Sequence, residues 1–80
     1  ISGTNVSLSK KEFEIVELLS TNAGQVFDRE RIYDTVWGLE SDGNSDTIME
    51  HIRKIRAKFS VLSLHTYIET VWGVGYKWVG

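Results

Sequence analysis

Between residues 46 and 59 the apolar side chains fall at Ile48, Ile52, Ile55 and Phe59. Steps of four, three and four place all of them on one face of an α-helix. That stripe also fixes what the helix shows to its surroundings. With a rotation of about 100° per residue, Asp46, Glu50, Arg53 and Ala57 point directly away from the core. Lys54 lies beside them. Thr47, His51 and Lys58 flank this face on one side, and Met49 and Arg56 on the other, nearer the core. Four cations, Arg53, Lys54, Arg56 and Lys58, share one short window that contains no acid.

A row of long polar side chains around the small Ala57 suits the DNA major groove, which is about 12 Å wide. Arg53 and Lys54 can reach guanine edges or phosphates, and Glu50 can accept from cytosine N4. Thr47, near the helix start, can bond a phosphate. The same face also suits plain solvation, with Glu50 and Lys54 pairing at i,i+4 for about 0.2–0.5 kcal/mol. Charge distribution weighs on the choice. The net charge is −2, but residues 1–44 carry four basic and eight acidic side chains, against five and three in residues 45–80. Such asymmetry favours a polyanionic partner for the second half more than the total suggests.

There is no proline, so caps and glycines must set the helix ends. Ser9 and Glu12 fit a capping box for a helix over residues 10–21, with Phe13, Ile15, Val16, Leu18 and Leu19 as its apolar side. Asn22-Ala23-Gly24 stops it. Residues 25–27 are short and extended. Asp28 is the expected N-cap of a helix over 29–37, whose apolar side is Ile32, Tyr33, Val36 and Trp37 and which Gly38 closes. GLESDGNS, residues 38–45, is a polar loop, and Ser45 is the expected cap of the helix over 46–59. Residues 60–66 connect to two β-forming runs, 67–71 and 76–79, around Gly73 and Gly75, which read as a hairpin. NVSL at 5–8 is a short strand candidate. The order predicts an α+β fold of one domain, residues 1–80: a winged helix-turn-helix with a three-helix core, a C-terminal β-hairpin wing and a short N-terminal strand.

Several classes of function are disfavoured. The chain has no cysteine and only two histidines, His51 and His65, so no metal site is expected. Glu40, Asp42 and Asp46 are scattered, and the GVG of residues 73–75 lies inside a hairpin rather than between a strand and a helix. No catalytic residue and no cofactor are expected. No apolar run approaches the length of about 18–20 residues that spans a membrane, and no signal segment opens the chain, which favours a cytoplasmic domain.

Three stretches, LSKKEFEIVELLSTNAGQVFDRERIYDTVWG, DTIMEHIRKIRAKF and YIETVWGVGYKW, occur in the order found in one family. The chain resembles the OmpR/PhoB-type DNA-binding effector domain of bacterial two-component response regulators. The TVWGVGYK form is most similar to the branch that includes the vancomycin-resistance regulators. The resemblance implies sequence-specific binding of double-stranded DNA and control of transcription, with the third helix as recognition helix. It assigns groove contacts to Glu50, His51, Arg53 and Lys54, and phosphate contacts to Trp37, Thr47, Thr70 and Arg56; Lys58 of the same basic window and Trp72 of the wing complete the expected DNA-binding set. It makes the loop of Leu39, Glu40, Ser41, Asp42, Gly43 and Asn44 the segment that contacts RNA polymerase. It further implies a receiver domain in the intact protein and a homodimer on tandem half-sites.

The chain departs from the family pattern in three ways. Residues 1–8 supply one or two strands at most, so the N-terminal sheet is expected to be truncated. Asp46 and Trp72 each stand where arginine is common, which should make binding less salt-dependent. Trp72 also raises a question of its own. It can fold back over the core, or lie against the DNA backbone or minor-groove edge. Simple alternation puts Trp72, Thr70 and Ile68 on one strand face and Val71 on the other. A rival reading is a winged helix used mainly for protein–protein contact, with the 38–45 loop and Trp72 as adhesive surfaces.

Overall fold

The computed structural model describes residues 7–38, 44–61 and 65–80. Three helices, α1 (Lys10–Thr21), α2 (Arg29–Trp37) and α3 (Thr47–Ser60), precede an antiparallel hairpin, β1 (Ile68–Val71) and β2 (Gly75–Trp78).

The first two helices begin and end where their caps dictate. The Glu12 N–H donates to Ser9 Oγ at 3.2 Å, and the Ser9 N–H donates back to Glu12 Oε1 at 2.8 Å, a reciprocal capping box. The Arg31 N–H donates to Asp28 Oδ1 at 2.8 Å, and α2 closes on Gly38 at a φ of 56°. The third helix departs from expectation, because Ser45 does not cap it. Asp46 occupies the N-cap position with no side-chain cap bond. Asn44 supplies the local acceptors instead: its Oδ1 takes the Asp46 N–H at 3.0 Å and its carbonyl oxygen takes the Thr47 hydroxyl at 3.0 Å. This Asx-type turn shifts the helix start, so α3 begins and ends one residue later than the hydrophobic stripe suggests.

The core joins the three helices and β1, and Tyr76 and Trp78 of β2 pack against its edge. Ile15 and Leu19 of α1, Ile32 and Tyr33 of α2, all four stripe residues of α3, Ile68 of β1, and Phe27 are buried together. Phe13 is not among them; it is 54% exposed. Five apolar residues in the twelve of α1 span more than one face, and the face that packs is centred on Ile15 and Leu19. Val16 and Leu18 pack at the margin of the core. Among the described residues of the NVSL segment, Ser7 and Leu8 form no strand; Asn5 and Val6 lie outside the described residues.

Besides a hydrogen bond from the Gly24 N–H to the Trp78 carbonyl oxygen at 3.0 Å, two further sets of hydrogen bonds tie the wing to the body among the described residues. Phe27 and Tyr76 exchange backbone hydrogen bonds of 2.8 and 2.9 Å, so residue 27 acts as a one-residue third strand. This contact explains Gly75: a Cβ there would lie 2.1 Å from the Phe27 carbonyl oxygen. Gly73 has a different role. The Val74 N–H donates to the Val71 carbonyl at 2.9 Å, and the third turn residue, Gly73, has a φ of 78°. Glycine adopts that conformation without steric cost. The second set comes from Arg56 of α3. Its Nη2 donates to the Ile68 carbonyl at 3.1 Å and to Thr70 Oγ1 at 2.7 Å.

A candidate nucleic-acid interface

The exposed side of α3 is the centre of the candidate site. Arg53, Lys54, Glu50, Thr47 and Ala57 are exposed, while Ile48, Ile52, Ile55 and Phe59 on the opposite side are buried. The buried face prevents the helix from rolling, so the polar face keeps a fixed direction. Glu50 pairs with Arg53 at i,i+3 rather than with Lys54 at i,i+4. The Arg53 Nε donates to Glu50 Oε2 at 3.3 Å, and its Nη2 donates to Glu50 Oε1. The bond from Arg53 holds the Glu50 carboxyl below the usual carboxylate range against a smaller desolvation effect, and the carboxylate in turn raises the pKa of the guanidinium. Lys54 has no ion pair among the described residues.

The other two cations of the window are engaged in the fold. Arg56 holds β1 as described, and its guanidinium carbon lies 5.7 Å from the centre of the Tyr76 ring. The Lys58 amine donates to Glu12 Oε1 at 2.5 Å. Glu12 is the one buried charged side chain among the described residues, at 3% exposure. Burial pushes its carboxyl up, but the bonds from Lys58 and from the Ser9 backbone and hydroxyl outweigh this, so it sits below its ordinary value.

Other predicted site residues surround α3. Trp37 is half-buried. Its ring stacks on Tyr33 at 4.7 Å and lies 5.3 Å from the His51 ring, with the Lys11 amine 5.2 Å from its centre. His51 is half-buried, and its Nδ1 atom is buried without a hydrogen-bond partner among the described residues. The Thr47 hydroxyl proton is directed to the Asn44 carbonyl. Asp46 forms an ion pair with Arg29 of α2 at 3.4 Å, so its charge does not face the surface uncompensated. Thr70 accepts from Arg56 and keeps its own hydroxyl proton available. Trp72 is 89% exposed and does not cover the core. It sits in the turn, outside the pleat of β1, which removes the alternation conflict: Ile68 is buried while Trp72 is free of strand alternation. Of the loop Leu39–Asn44, only Asn44 is described; residues 39–43 lie outside the described residues.

A sequence profile for the family described as "Transcriptional regulatory protein, C terminal" matches residues 3–78. The chain belongs to that family. The family is one of DNA-binding effector domains of OmpR/PhoB-type response regulators, and not of enzymes. Among its relatives is the transcriptional regulatory protein SpaR of Bacillus subtilis, 44% identical over 78 residues, which cover 98% of this chain and 35% of SpaR. The chain thus spans about a third of the length of the curated relatives it matches. Among solved structures, the response regulator DrrB of Thermotoga maritima, an OmpR/PhoB homologue, aligns with a TM-score of 0.84 and 37% identity. That alignment covers all of this chain and 36% of DrrB. The DNA-binding domain of Klebsiella pneumoniae RstA, solved in complex with the RstA box, aligns with a TM-score of 0.76 and 32% identity over 95% of this chain and 76% of that one. Among the described residues of this family member, no helix is long and apolar enough to cross a membrane.

Proposed function

We propose that this domain binds double-stranded DNA sequence-specifically and controls transcription as the effector domain of a two-component response regulator. In this reading α3 enters the major groove, and the wing lies at the sugar–phosphate backbone beside the minor groove. The observation that carries it is the division of α3: a fully buried isoleucine stripe on one side, and exposed Arg53 and Lys54 on the other. Arg53 reads a base and Lys54 contacts a phosphate. Trp37, Thr47, His51 and Thr70 border the groove-facing side. Arg56 and Lys58 act on DNA indirectly, through the wing and the helix packing that they hold. The loop of residues 39–44 contacts RNA polymerase, and in the intact cytoplasmic protein a receiver domain promotes a homodimer on tandem half-sites.

A second reading, a winged helix for protein contact, draws on the exposed Trp72 and Val74 at the wing tip. Mobility-shift titration against random duplex DNA at about 50 and 200 mM salt separates the two. The DNA reading expects binding that weakens steeply with salt. An absence of binding at the lower salt would favour the protein-contact reading.

A further inference from the structure

The Glu50–Arg53 pair has a specific orientation. Glu50 occupies the side of the guanidinium that carries Nε and Nη2. A guanidinium has five N–H donors in a planar fork, and this bonding uses two of them. The end of the fork, one N–H from Nη1 and one from Nη2, remains open. Those two parallel donors have the geometry that matches guanine O6 and N7. Both side chains are exposed, 66% for Arg53 and 53% for Glu50, so the open end projects from the outward face of α3. The partners are about one helical turn apart, and the two bonds hold one edge of the guanidinium at the end of the long arginine side chain.

We propose that Glu50 is a positioning residue, whose carboxylate aims the open fork of Arg53 at a single guanine in the major groove, rather than a reader of its own base. The inference rests on the DNA-binding reading above. An exposed ion pair of this kind contributes little to stability. Its effect lies in pre-orientation: the arginine arrives with fewer rotamers to lose. The carboxylate also opposes the DNA phosphates, so the arrangement exchanges some general affinity for discrimination.

The test is selection of bound sites from a random duplex pool by the wild-type chain, Arg53→Ala, Glu50→Ala, Glu50→Gln and the Arg53→Ala/Glu50→Ala double variant. All substitutions are on an exposed helix face, and circular dichroism verifies that each variant is folded. Arg53→Ala is expected to relax one guanine position, with discrimination falling about 5- to 150-fold. Glu50→Ala should relax the same position and no other, while binding the unselected pool more tightly because a negative charge is gone. The double variant should match Arg53→Ala in base preference. Glu50→Gln, whose amide oxygen still accepts one bond, should be intermediate. Relaxation by Glu50→Ala at a different position, a cytosine in particular, would show that Glu50 reads its own base and overturn the proposal. Unchanged preferences in Glu50→Ala, or in Arg53→Ala, would overturn it as well. Failure of the wild-type chain to bind any duplex at about 50 mM salt would instead reject the DNA reading itself.

Discussion

Arg53 and Arg56 are three residues apart on one helix, yet their guanidinium groups have different tasks. Arg53 points outward and bonds Glu50 on its own helix, whereas Arg56 reaches across to the Ile68 carbonyl and the Thr70 hydroxyl of the wing. The lysines divide in the same way. Lys54 is exposed and has no ion pair among the described residues, while Lys58 reaches the buried carboxylate of Glu12. The acid-free window of α3 is therefore two functional halves: its first pair faces the solvent, and its second pair fastens α3 to the wing and to α1. Counting cations overstates such an interface, because a cation already bonded within the fold has less to offer a phosphate.

The sharpest way to break this division is to remove one member of each half and read stability and binding separately. Arg53→Ala should cost about 1–3 kcal/mol of binding to a selected site and leave thermal stability nearly unchanged. Lys58→Met should do the reverse. It leaves a buried carboxylate short of its strongest partner, at a cost of about 1–3 kcal/mol of folding stability in denaturant titration. Arg56→Lys keeps the charge but loses the fork that bonds two wing acceptors at once, and should cost about 0.5–1.5 kcal/mol of stability.

A pH titration sharpens the same contrast with a smaller effect. The Glu12 carboxyl sits lower in the folded chain than its ordinary value of 4.5, through Lys58 and Ser9. Its contribution is therefore fully present above that ordinary value and is lost as pH falls through the folded one. Stability should drop on acidification below about pH 4.5, and Glu12→Gln should flatten that drop, as followed by circular dichroism. The smallest expected change is at the wing. Trp72→Arg adds a cation at an exposed turn and should steepen the salt dependence of DNA binding by about one phosphate contact, without loss of folding.

The helices and the hairpin were legible because their signals are local. The Ser9–Glu12 box, the Asp28 cap and the α3 stripe each lie within a few turns of chain, and α1 and α2 begin and end where the caps place them. The misreadings arose where the choice depends on distant or competing partners. Ser45 and Asn44 are both able to organise the start of α3, and backbone geometry selected Asn44. Phe13 has an apolar side chain at helical spacing, yet the packing direction of α1 is set by what α2 and α3 present to it. The Glu12–Lys58 pair spans 46 residues, so no local pattern reveals it. The same holds for Gly75, whose need for a missing Cβ comes from the backbone of Phe27. The outward face of α3 was readable from periodicity, but which of its cations already had partners was not.

The most direct test of the division within α3 is the slope of log affinity against log salt for Lys54→Ala and Lys58→Ala on the same duplex. The two variants make the same change in charge, four residues apart. Lys54→Ala should reduce the slope by about 0.9, the value for one lost phosphate contact, and Lys58→Ala should leave it at the wild-type value while lowering stability. Equal reductions in both variants would contradict the account.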